Sequence, residues 1–99
     1  MTYAAITGWG KCMPPAVLSN ADLATFLDTN DEWITSRTGI SERRISHVSL
    51  EEMAYVSSMR ALAAAGLDPA DVELIVIGTC SFDDQVPNQA SGLQVRLGA

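Results

Sequence analysis

The chain of 99 residues contains one histidine and two cysteines, too few for a histidine-rich metal centre or a disulfide framework. Cys12 and Cys80 have no metal-like spacing, and two cysteines in a chain without an export signal read as free thiols. Basic residues are also scarce. Six Lys and Arg against twelve Asp and Glu give a net charge of −6, which argues against nucleic acid as a general partner. No apolar run approaches the roughly 18 residues needed to cross a bilayer. Met1-Thr2-Tyr3-Ala4 lacks the basic start of a signal peptide. Repeats and low-complexity segments are absent as well. What remains is a hydrophobic content of 47%, the usual level of a folded protein, in a chain long enough for one small domain. The expectation is a cytoplasmic globular protein with no membrane contact.

The most informative stretch runs from Asp28 to Ile40. Thr29 or Asn30 can cap a helix start, Asp31 and Glu32 oppose the positive end of its dipole, and Gly39 suits the left-handed stop. The spacing predicts a helix over 31–38, with Trp33 and Arg37 four apart on one face. A flat indole beside a fixed cation is a platform for a purine carrying phosphates. Packing of Trp33 into a core, with Arg37 at the rim, is the competing reading. A calcium loop is not supported, because Trp33 and Gly39 stand where such a loop needs Gly and Glu.

Around that stretch, 3–9 reads as a first strand and Asn20 as the cap of a short helix to about Leu27. Gly8-Trp9-Gly10 is not a dinucleotide fingerprint, since Met13 replaces the third glycine and Pro14-Pro15 follows. The segment 40–46 is expected to be extended, with Arg43 and Arg44 on a charged edge, and His47 lies in a polar loop with no nucleophile near it. Ser49 and Glu52 have the spacing of a capping box for a long helix ended by Gly66. Its many small residues allow close approach of another backbone, so a buried helix is expected. Asp68-Pro69 starts a single turn, and Leu74-Ile75-Val76-Ile77 reads as a strand covered on both faces, giving a βαβ unit. Cys80 follows that strand, but Asp83 and Asp84 disfavour its thiolate, and this carboxylate pair reads as solvated. A last helix is expected over 88–97, with Ala90, Leu93 and Leu97 on one stripe.

Asp28-Thr29-Asn30-Asp31-Glu32-Trp33-Ile34, then Arg37-Thr38-Gly39-Ile40 and Arg43-Arg44, resembles the signature of the β-ketoacyl-[acyl-carrier-protein] synthase III family. In that family a Ser usually stands where Asn30 is. Asn20-Ala21-Asp22-Leu23, Ala65-Gly66-Leu67, 74–77 and 94–98 extend the resemblance over nearly all of the chain. The resemblance implies an α/β, thiolase-like fold in which 1–99 is an incomplete N-terminal portion of the first half. In it, about 13–47 forms a cap-like insertion between first strand and core helix. It implies a condensing acyltransferase of fatty-acid biosynthesis that joins an acyl group from acyl-coenzyme A to malonyl-acyl carrier protein through a cysteine thioester. The Cys, His and Asn of that chemistry are expected beyond Ala99, so these residues alone are expected to be inactive.

The same resemblance implies that Thr29, Trp33 and Arg37 contact the coenzyme A nucleotide, with Trp33 stacked on adenine. It also implies that Val86 reaches into the acyl pocket of a second subunit in a homodimer. Acyl-coenzyme A enters as a substrate, and neither a metal nor a tightly bound cofactor is expected. Acyl carrier protein and the remainder of the polypeptide are the other implied partners. A related enzyme of the same fold with another acceptor is the alternative, as is a non-catalytic interaction fragment should 99 residues be the whole product.

Overall fold

The computed structural model describes residues 2–83 and 88–99. The chain divides into two compact units, 13–47 and the combination of 1–12 with 48–99.

In the 13–47 unit, β1 (Ala16–Ser19) pairs antiparallel with β2 (Glu42–Ile45), placing Ala16 opposite Ile45 and Ser19 opposite Glu42. Between them lie α1 (Asn20–Ala24) and α2 (Asp31–Thr38). Asn30 caps α2 by accepting the Trp33 N–H at 2.8 Å, and Gly39 ends it in the left-handed conformation at φ 71°. Those bounds are the ones its local residues dictate. For α1 the expectation needs correction. Ser19, not Asn20, is the cap: its hydroxyl accepts the Asp22 N–H while the Asp22 carboxylate accepts the Ser19 N–H. This reciprocal pair satisfies two otherwise orphaned donors and frees the Asn20 side chain for other partners. The helix stops at Ala24, short of Leu27, as the Thr25 N–H and hydroxyl both turn back to the Asp22 carbonyl.

The second unit is built on α3 (Leu50–Ala65) and α4 (Gln89–Leu97). Ser49 accepts the Glu52 N–H at 3.1 Å, and Gly66 ends α3 at φ 71° while the Leu67 N–H reaches back to the Leu62 carbonyl. Glu52 itself forms an ion pair with Arg96, whose guanidinium also lies 4.5 Å from the centre of the Tyr55 ring. These contacts tie α4 to α3, with Leu93 and Gln89 buried on the inner face of α4. Pro69–Asp71 forms one 3-10 turn, closed by reciprocal hydrogen bonds between Asp68 and Asp71.

Neither 3–9 nor Leu74–Ile77 is a strand, and no hydrogen-bonded βαβ unit forms among the described residues. Strand bonds come from another part of the chain, and among the described residues nothing pairs with these runs. Ile6, Leu74 and Val76 are 92%, 80% and 84% exposed, while Ile75 and Ile77 are half-buried. The run therefore alternates instead of being covered on both faces. Likewise no residue of α3 is fully buried. The close approach expected of its small residues does occur, and glycine supplies the other side. A Cβ added at Gly8 would lie 2.5 Å from the Ala61 carbonyl oxygen, and one at Gly10 would lie 2.7 Å from the Ala61 nitrogen. Segment 8–10 thus runs against the α3 backbone itself.

Asp83 is the other correction. It does not simply face water: its carboxylate accepts the Leu50 and Glu51 N–H groups at 3.2 and 2.9 Å, acting as a second cap on α3. The Glu51 N–H above all, then those of Leu50 and the Gln89 amide, hold its carboxyl below the ordinary value despite the opposing effect of burial.

Candidate functional site

The short turn from α1 to α2 leaves a cavity of about 540 Å³ flanked by Leu23, Leu27, Thr29, Trp33 and Ile34. Ile34, on the inner face of α2, is buried, whereas Trp33 is 54% exposed. Trp33 is therefore not a core residue of this unit. Thr29 Oγ1 is buried with no hydrogen-bond partner among the described residues. A buried hydroxyl without a partner is costly and marks a place where a ligand group could bond. Asp28 also lines the cavity and contributes negative charge to its rim.

Arg37 does not line the cavity; its guanidinium lies over the Trp33 ring at 5.3 Å from the centroid. The other two guanidiniums of this unit are held by hydrogen bonds within it. Arg43 donates to the Leu18 carbonyl and Asn20 Oδ1, and Arg44 donates to the Pro14 carbonyl. Arg37 is thus the guanidinium of the unit that stands beside the cavity on an exposed face. Trp33 and Arg37 share one face of α2 as their spacing suggested, and Thr29 lines the cavity with Trp33. Val86 lies outside the described residues.

Sequence reasoning missed Asn20. It is 1% exposed, and its amide donates to Asp31 Oδ1 at 2.8 Å and the Ile40 carbonyl at 2.7 Å, with Thr35 Oγ1 farther at 3.4 Å. Its own oxygen accepts from Arg43 Nη2 at 2.7 Å. The orientation of the amide is set by chemistry, because a carbonyl can only accept and a guanidinium can only donate. No local signal announces this role, since the partners lie 11 to 23 residues away.

Elsewhere, Cys80 and His47 are exposed, Cys12 is half-buried, and both cysteines are free. No group of His, Cys, Asp or Glu among the described residues could hold a metal ion. Among the same residues, no helix is long and apolar enough to cross a membrane.

No protein-family model matches the chain. Individual relatives do. It is 58% identical over 96 residues to β-ketoacyl-[acyl-carrier-protein] synthase III 2 of Vibrio cholerae, covering 97% of this chain and 26% of that protein. It is 46% identical over 98 residues to the synthase III of Geobacillus kaustophilus, covering 97% of this chain and 32% of the relative. Among solved structures, 3-oxoacyl-[acyl-carrier-protein] synthase III from Aquifex aeolicus superposes with a TM-score of 0.85 at 41% identity, over 95% of this chain and 31% of that one. The priming β-ketosynthase of the R1128 polyketide pathway superposes with a TM-score of 0.83 at 35% identity, over 95% and 29% of the two chains. The resemblance to β-ketoacyl-[acyl-carrier-protein] synthase III therefore holds over nearly the whole chain, and the fold is the α/β, thiolase-type fold of those enzymes. The chain spans about a quarter to a third of the length of the curated relatives it matches.

Proposed function

We propose that these residues are the coenzyme A-binding part of a condensing acyltransferase of the β-ketoacyl-[acyl-carrier-protein] synthase III type. In the intact protein an acyl group passes from acyl-coenzyme A to a cysteine and is then joined, with loss of carbon dioxide, to a malonyl unit on acyl carrier protein. The cysteine and its His and Asn partners belong to segments outside these 99 residues. The 13–47 unit is, in this reading, the cap-like insertion, and the working protein is a cytoplasmic homodimer.

The observation that carries the proposal is the exposed Trp33 ring, beside an unpartnered Thr29 hydroxyl and under an outward guanidinium. An adenine can stack on the indole, Thr29 can bond a polar group of the nucleotide, and Arg37 can pair with phosphate. A second reading, the same site in an enzyme with a different primer or acceptor, is favoured by the polyketide priming ketosynthase among the similar structures.

Truncating a stacked base platform to alanine costs about 1–3 kcal/mol. Trp33→Ala in the full-length enzyme should raise KM for acyl-coenzyme A with kcat little changed, because binding common to ground and transition states is lost. Acyl-pantetheine, which lacks the nucleotide, should be unaffected. Equal losses on both substrates would show that Trp33 serves packing only. A product assay with malonyl-acyl carrier protein against other acceptors separates the two readings.

A further inference from the structure

α2 carries two pairs of residues at helical spacing, Asp31 with Thr35 and Trp33 with Arg37. At roughly 100° per residue the second pair points about 200° away from the first, on the opposite side of the helix. The first pair is anchored. Asp31 Oδ1 accepts from Asn20 Nδ2 at 2.8 Å and from Thr35 Oγ1 at 3.1 Å, and Asn20 also reaches Thr35 Oγ1 at 3.4 Å. The anchor is itself fixed on the sheet side. The Asn20 N–H donates to the Ser41 carbonyl at 3.1 Å, its amide to the Ile40 carbonyl, and its oxygen takes the Arg43 guanidinium of β2. A single buried amide therefore links one side of α2 to the Ile40 carbonyl and to β2, opposite the side that carries Trp33 and Arg37.

We propose that Asn20 is a positioning residue for the Trp33–Arg37 platform, acting through Asp31 and Thr35 without touching the ligand. The proposal rests on the reading of that platform as the nucleotide site. Its consequence is selective. Removing the amide leaves the Asp31 carboxylate, the Ile40 carbonyl and the Arg43 guanidinium without one partner each, and α2 loses a contact that ties its inner side to β2. The nucleotide then meets a platform of the right composition in the wrong orientation, while chemistry at the acyl end is unchanged.

The test uses the full-length enzyme with two readouts, amide hydrogen exchange and kinetics on acyl-coenzyme A beside acyl-pantetheine. Asn20→Ala should speed exchange across Asp31–Thr38 and leave Leu50–Ala65 unchanged. It should raise KM for acyl-coenzyme A about tenfold with kcat nearly constant, the size expected from a lost buried hydrogen bond to charged partners, and leave acyl-pantetheine untouched. Unchanged exchange in α2, or equal losses on both substrates, overturns the proposal. Should Asn20→Ala fail to fold, Asp31→Ala removes the bonds from Asn20 and Thr35 and is judged by the same outcomes. Trp33→Ala serves as the reference. If it shows no preference for losing coenzyme A, the nucleotide reading fails, and the exchange measurement still decides whether Asn20 orients α2.

Discussion

Asp83 and Gln89 exchange two hydrogen bonds, the Asp83 N–H to Gln89 Oε1 at 2.9 Å and Gln89 Nε2 to Asp83 Oδ2 at 3.2 Å. Gln89 is only 5% exposed, so its amide has few other ways to be satisfied. The same carboxylate accepts from the first turn of α3, which joins the starts of α3 and α4 through one side chain. A charged oxygen at a helix N-terminus also opposes the positive end of the dipole.

Acid should therefore weaken this junction. The folded-state pKa of Asp83 is depressed, so its contribution is complete above the unfolded value of about 3.9 and is lost as pH falls through the lower folded value. Asp22, held down by the Ser19 N–H and then its hydroxyl, loses its contribution in the same direction. Melting temperature measured from about pH 6 to pH 2 should fall less steeply in Asp83→Asn than in the parent. Parallel curves would show that Asp83 does not feel the N–H groups of α3.

Gly8 and Gly10 should resist even the smallest side chain. The atoms a new Cβ would meet include the backbone of Ser57 and Ala61, which cannot move without disturbing α3. Gly8→Ala and Gly10→Ala are each expected to destabilise by about 1–3 kcal/mol, the usual cost of overpacking. Gly78→Ala, where nothing lies within 4 Å of the added atom, is the control and should be within about 0.5 kcal/mol of the parent. Denaturant midpoints of the three variants decide the matter.

A preparation of these 99 residues alone should self-associate. Ile6, Leu74 and Val76 lie largely exposed on segments that pair with nothing among the described residues, and unpaired apolar edges recruit other chains. Sedimentation velocity is the measurement. A soluble monomer with a cooperative unfolding transition would contradict the expectation.

In the intact enzyme, Val86→Phe should shift primer preference toward acetyl. This follows from the resemblance, in which the residue before the proline closes the acyl pocket of the opposite subunit, often with a large aromatic side chain. Each buried CH₂ that fits is worth about 0.8 kcal/mol, and pockets discriminate by ~1–3 kcal/mol per methylene. The parent should accordingly accept primers bulkier than acetyl. A chain-length profile unchanged between the two proteins would contradict the expectation.

What could be read in the sequence was what neighbouring residues decide among themselves. Asn30, Ser49 and Asn88 cap helices whose partners lie three residues on, and Gly39, Gly66 and Gly98 end them with backbone angles other residues avoid. Trp33 and Arg37 came together for the same reason, as one helical turn fixes their relation. Distant contacts were not legible. Asn20 looked like a cap because asparagine is a good one, and its partners Asp31, Ile40 and Arg43, 11, 20 and 23 residues on, reveal its buried role. Asp83 appeared solvated because its partners lie at 50 and 51. The Leu74–Ile77 run carries strand-forming residues, but a strand exists only where another lies beside it.

That division between local caps and unpaired runs has a kinetic consequence during synthesis. A helix such as α3, with its stop and one cap in the residues that flank it, can form within about a microsecond of its residues becoming free. The Leu74–Ile77 run must wait for partners of high sequence separation, whose loop-closure entropy is met before their contacts are gained. Formed helices beside a bare apolar edge are the species on which chaperones act in a growing chain. The leucine and valine at 74 and 76 are the bare part of that run.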